Sequence, residues 1–83
     1  MRIILDASKM TEAAAAHQYL MEQLPLPEHY GKNLDALYDC LGELEDTVVV
    51  FENIPEEPSY FYRVLRVFRD AACRSTGLQI EER

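Results

Sequence analysis

The run Thr47–Phe51 (TVVVF) narrows most sharply what this chain can fold into. Four β-branched residues and a phenylalanine leave neither face of the segment charged. Strands with one wet face alternate apolar and polar residues; a continuous apolar run predicts a parallel strand covered on both sides. Parallel strands need crossover connections, so helices are expected before and after it.

The flanking sequence supplies them. Arg2–Asp6 (RIILD) reads as a second short buried strand, and Leu78–Glu82 (LQIEE) as a weaker, alternating third. Met10–Gln23 predicts a helix capped by Thr11, with Glu12 in its first turn and an apolar stripe of Ala13, Ala16, His17, Leu20 and Leu24. His17 lies on that stripe and reads as a core histidine. Leu24–Lys32 (LPLPEHYGK) is a loop, since Pro25 and Pro27 push their predecessors out of the α region and Gly31 permits a tight turn. Asn33 is a good N-cap for a helix running to about Leu44, and Glu45-Asp46 then breaks the pattern. Asn53–Ser59 (NIPEEPS) is a connector. Tyr60–Ser75 is a long helix with Phe61, Val64, Leu65, Phe68, Ala71 and Ala72 on one face, and Gly77 is its expected stop. The order strand, helix, helix, strand, helix, strand predicts an α/β fold. It is a small three-stranded parallel sheet with right-handed crossovers, packed with three to four helices, in one domain spanning residues 1–83.

Charge excludes several functions. Residues 22–57 hold ten acids against Lys32 alone, a local charge of −9, within a chain of net −7. Such a field repels phosphate backbones, so direct nucleic-acid binding is not expected; it suits either solubility or a basic protein partner. No apolar run approaches a membrane span, and the first twenty residues do not resemble a secretory signal. Cys40 and Cys73 stand 33 residues apart without CxxC spacing, and His17 and His29 are isolated. No metal site or cofactor is expected, and two reduced thiols fit a cytoplasmic protein.

The second helix carries the informative constellation. At about 100° per residue, Leu34, Leu37, Leu41 and Leu44 cluster on one side. Asp35 and Asp39 lie together nearly opposite, with Tyr38 between. Like charges four apart typically cost a helix ~0.2–0.5 kcal/mol, and no basic residue on the same helix offsets them. The pair fits an ordinary solvated face, a catalytic carboxylate pair of the glycosidase kind, or a contact surface. A convex helix in so short a chain rarely supplies the concave site and unequal environments that catalysis requires.

Residues Leu24–Leu41 (LPLPEHYGKNLDALYDCL) resemble the signature segment of the barstar family. The resemblance rests on Pro27-Glu28, Tyr30-Gly31, Asn33-Leu34-Asp35-Ala36-Leu37, Tyr38 and Asp39. His17-Gln18 adds weaker support, as do Val64-Leu65 and Val67-Phe68-Arg69-Asp70-Ala71. The resemblance implies an inhibitor rather than an enzyme, one that plugs the cationic active site of a barnase-like ribonuclease; the alternation of apolar strands with amphipathic helices, without a long heptad pattern, predicts a monomer when free. It implies that Asp39 takes the place of a substrate phosphate and that Asp35 and Asp70 meet further basic groups. His29, Gly31, Asn33, Leu34, Tyr38 and Val67 would surround them, with Leu44 standing where the family has a second aromatic anchor. The alternative partner is a different basic toxin or protein, bound as an immunity protein binds. Arg66 on the last helix points near Asp70 and would oppose a cationic partner. Cys40 borders the leucine face, and Cys73 falls on the outer face of its helix.

Overall fold

In a computed structural model describing all 83 residues, strands β1 (Arg2–Asp6), β2 (Thr47–Glu52) and β3 (Leu78–Glu82) form one parallel sheet of order β1-β2-β3. Arg2 pairs with Val48 and Thr47 with Leu78, so the most β-branched segment is the central strand, hydrogen-bonded on both sides. Helices α1 (Ala13–Gln23) and α2 (Leu34–Leu41) connect β1 to β2, and α3 (Tyr60–Arg74) connects β2 to β3.

Both connections step across the sheet in the same direction. Right-handed crossovers therefore place all three helices on one face. The burial pattern agrees. Leu5, Val49, Phe51 and Leu78 join one cluster of 17 buried residues with Ala16 and Leu20 of α1, Leu37 and Leu41 of α2, and Phe61, Val64, Leu65, Phe68 and Ala71 of α3. Phe51 holds the centre, meeting the rings of Phe61 and Phe68 edge-on at 5.2 and 5.0 Å. Such edge-to-face contacts add to the area each ring buries.

The outer face of the sheet has no helix, yet β2 is covered on both sides as its apolar run predicts. Val50 is fully buried yet stands apart from the main cluster. Its cover is local. Arg2 of β1 reaches Glu81 of β3 at 3.5 Å across the central strand, and Arg83 reaches Glu52 at 3.0 Å. The aliphatic stems of such side chains shield apolar strand residues while their charged ends stay wet. Ile4 on the edge strand remains 49% exposed.

Several boundaries differ from expectation. A 3-10 turn at Ala7–Lys9 follows β1, capped by Asp6, whose carboxylate accepts from the Ser8 amide at 3.0 Å. The first helix begins at Ala13, not Met10, and Thr11 does not cap it. The Thr11 carbonyl instead accepts from the Tyr60 amide at 3.2 Å, tying the start of α1 to the start of α3, and Ala13 is exposed. The second helix ends at Leu41 rather than Leu44. From there Glu43 and Leu44 donate to the carbonyls three residues back, at 3.2 Å each, so the α spiral tightens into turns. The last helix ends at Arg74, one residue early, with Ser75 as its C-cap. Gly77 is not the helix stop: a Cβ there would lie 2.4 Å from the Leu44 carbonyl oxygen, so it is the glycine that lets β3 pass the α2–β2 loop.

Candidate functional site

The loop before α2 is shaped by local hydrogen bonds. The Tyr30 amide donates to the Pro27 carbonyl at 3.0 Å. Lys32 takes a left-handed conformation (φ 54°), which turns the chain into the helix. Asn33 then works in both directions: its Oδ1 accepts from the Ala36 amide at 2.8 Å, and its Nδ2 donates to the Gly31 carbonyl at 3.2 Å. A Cβ at Gly31 would sit 3.1 Å from that Nδ2, so a larger residue crowds the cap. Loop and helix are thereby one presented unit.

Leu37 and Leu41 bury one side of α2, with Leu34, Ala36, Tyr38 and Cys40 partly packed beside them. Asp35 and Asp39 are exposed. Asp35 lies in the first turn, where the helix dipole favours a carboxylate. Asp39 lies in the last turn, where the dipole disfavours it, and no basic residue stands there. Asp39 is thus placed against the preference of its own helix twice, by the dipole and by Asp35 four residues before it.

Helix α3 runs beside α2. One shallow groove between them is lined by Tyr38, Asp70, Cys73 and Arg74. A second, adjoining groove is lined by Tyr38, Asp39, Gly42, Glu43, Ala71, Arg74 and Ser75. Tyr38 therefore stands between Asp39 and Asp70 and joins their surroundings into one surface. Leu44, half-buried, lies at its end with Gly42, Glu43, Glu45 and Asp46. The chain's three salt bridges, Arg2–Glu81, Arg69–Glu82 and Arg83–Glu52, all lie elsewhere. Asp35, Asp39, Glu43, Glu45, Asp46 and Asp70 have no ion-pair partner within the chain.

The loop is anchored from beneath. His17 of α1 is 2% exposed, and each of its ring nitrogens meets a phenol: Nδ1 with Tyr30 Oη at 2.6 Å and Nε2 with Tyr60 Oη at 2.7 Å. A neutral imidazole donates from one nitrogen and accepts at the other, so one tyrosine accepts and the other donates. This polar bridge ties α1, the loop and the start of α3. Burial holds His17 below its ordinary pKa of 6.5 and pushes Tyr30 up to about 12. Burial, followed by the charges of Glu43 and Asp39, also raises the Cys40 thiol, which makes it a poor nucleophile.

The fold brings together Tyr38, Asp39 and Asp70, with Asp35 one turn away along α2. His29, Gly31 and Asn33 are exposed at the head of the helix, whereas Leu34 and Val67 are half-buried and pack partly on the core. Sequence reasoning missed two residues. Tyr30 is the loop's buried anchor, recognisable only by the absence of any other apolar residue between Leu26 and Leu34. Arg74, not Arg66, is the arginine that lines the grooves; both stand four residues from Asp70, so spacing alone does not tell them apart. No three His, Cys, Asp or Glu side chains converge as a metal site requires, and no helix is long and apolar enough to cross a membrane.

Comparison with known proteins bears on the chain as a whole. The sequence profile of the family described as Barstar (barnase inhibitor) matches residues 1–81. A Bacillus subtilis (strain 168) protein named "Putative ribonuclease inhibitor YrdF" is 42% identical over 40 residues. Those residues make up 48% of this chain and 44% of that protein, so the match spans less than half of the relative's length.

Proposed function

The chain belongs to the barstar family, whose members are inhibitors rather than enzymes, and from that premise we propose that it blocks a basic ribonuclease by seating α2 and the preceding loop in the enzyme's cationic cleft. The observation that carries this reading is Asp39: an exposed carboxylate, unpaired within the chain, set where both its helix dipole and its neighbour oppose it. A position that costs the free protein stability needs an external benefit. A ribonuclease cleft must be cationic to hold RNA, and a carboxylate accepting from an arginine fork there is a strong charge-assisted contact. Asp39 takes a phosphate site; Asp35 and Asp70 meet basic groups on either side, with Tyr38 as the central aromatic contact. His29, Gly31, Asn33 and Leu34 form the near rim, and Leu44 and Val67 complete the surface. The two free thiols fit action in the reducing cytoplasm.

The test separates binding from folding. Asp39→Ala should weaken inhibition of a barnase-type ribonuclease by well over the ~2 kcal/mol that marks a hot spot, because it strands buried cations on the enzyme. Hot spots of that size are already documented for this inhibitor family. Asp39→Asn should be comparably severe. In the free protein, Asp39→Ala should leave thermal stability unchanged or slightly raised. Full inhibition by Asp39→Ala would refute the phosphate-mimic mechanism, and unfolding of the free variant would make Asp39 a structural residue.

A further inference from the structure

The binding surface is not uniformly acidic. Arg63, Val67, Asp70 and Arg74 fall at i, i+4, i+7 and i+11 of α3 and so form one stripe along the helix. Arg74 lines both grooves that Tyr38 shares with α2, beside Asp70 in one and beside Asp39 and Glu43 in the other. It is exposed, and it forms no ion pair with any of these acids, although three other arginines of the chain do pair with glutamates. A free guanidinium therefore stands within the surface that carries the phosphate-mimicking carboxylate.

Resting on the reading of that surface as an inhibitor face, we propose that Arg74 is a specificity residue: it fits a ribonuclease whose cationic cleft is flanked, where the end of α3 docks, by a carboxylate or a cluster of carbonyl oxygens, and it discriminates against ribonucleases that are cationic there. Arg74 presents a planar fork of donors and never loses its charge, so it rewards an acceptor and repels a cation at the same place. Specificity of this kind is a difference of affinities, built as much from the repulsion of wrong partners as from attraction to the right one. The carboxylates set the class of partner, and the arginine selects within it.

The experiment measures association and dissociation rates of wild type, Arg74→Glu, Arg66→Glu and Asp39→Ala with a barnase-type guanyl-specific ribonuclease, and with variants of that enzyme carrying Lys→Glu or Arg→Glu changes around the cleft rim. Arg66 undergoes the same charge change but lies outside both grooves, so it controls for net charge. Against the unmodified enzyme, Arg74→Glu should tighten binding by roughly tenfold or more, mainly through slower dissociation. Arg66→Glu should change it by less than about threefold, mainly through association. At least one rim reversal should invert the order, with wild type then binding more tightly than Arg74→Glu. If wild type fails to inhibit the unmodified enzyme, gain of inhibition by Arg74→Glu supports the proposal, and failure of both overturns it. Equal effects of the two arginine variants, or weaker binding by Arg74→Glu with no rim reversal that inverts it, also overturn it. The inhibitor reading itself fails by a different result, full binding by Asp39→Ala.

Discussion

Replacing His17 by phenylalanine tests how the loop before α2 is held. The substitution keeps a planar aromatic ring in the core and removes both ring nitrogens. Tyr30, 5% exposed, then has a buried hydroxyl without its partner, a loss of about 1–3 kcal/mol. Tyr60 is half-exposed, so its hydroxyl reaches water and the loss there is nearer ~1 kcal/mol. The sum, about 2–4 kcal/mol, is a large part of the stability of a small domain. The pH dependence supplies a second signature. Burial depresses the folded-state pKa of His17 below 6.5. Above that value the ring is neutral in both states and the full contribution is present. Below it the unfolded chain gains a proton that the folded chain resists, so the contribution falls as pH drops toward the folded-state pKa, by at most about 1.4 kcal/mol per pH unit. Urea unfolding of wild type and His17→Phe, each followed from pH 8 to pH 5, measures the gap between them, in which every other titrating group cancels. The gap should be widest at pH 7 and above and should narrow on acidification. Equal stability at pH 8, or a gap independent of pH, would refute the account of His17 as a neutral bridge.

Three further outcomes are expected. Tyr30, pushed up to about 12 by burial, contributes stability that is complete below pH 10 and lost as pH rises toward 12, so its phenolate absorbance should appear together with unfolding. Gly77→Ala should cost about 1–3 kcal/mol in denaturant unfolding, because the new methyl meets the Leu44 and Glu45 backbone at 2.4 and 2.9 Å; an unchanged midpoint would show that this loop yields freely. Association with a basic ribonuclease should slow as ionic strength rises past about 0.15 M, where the Debye length is about 8 Å, and an on-rate indifferent to salt would remove electrostatic steering from the mechanism.

Periodicity revealed the elements because each buries a local pattern. TVVVF announced the central strand, and the spacing of Phe61, Val64, Leu65 and Phe68 announced α3. The exposed acids of α2 were legible for the same reason, since Leu37 and Leu41 dictate which way Asp35 and Asp39 turn. What escaped depends on residues far apart in the chain. Thr11 looks like a cap, but its carbonyl is held by the Tyr60 amide 49 residues later. Gly77 looks like a helix stop, and only its approach to Leu44 shows otherwise. The one-sided sheet was hidden because Val48 and Val50 look the same whether covered by a helix or by an Arg2–Glu81 pair. Arg74 was overlooked because no rule of spacing says that the end of α3 reaches Tyr38 and Asp39.

The strand order has a consequence for how the protein breathes. β1 and β3 share no backbone hydrogen bond; in the ladder each pairs with β2 alone, and only the Arg2–Glu81 side chains link them. Their outward amides carry no ladder bond, apart from the Asp6 amide that donates to Tyr19 Oη at 2.9 Å, so deuterium enters the edges by fraying. The amides of Val49, Val50 and Phe51 sit between two neighbours and under fully buried side chains. Each bonds to one edge strand while the other edge strand holds β2 in place, so these three amides should exchange more slowly than those of the edges.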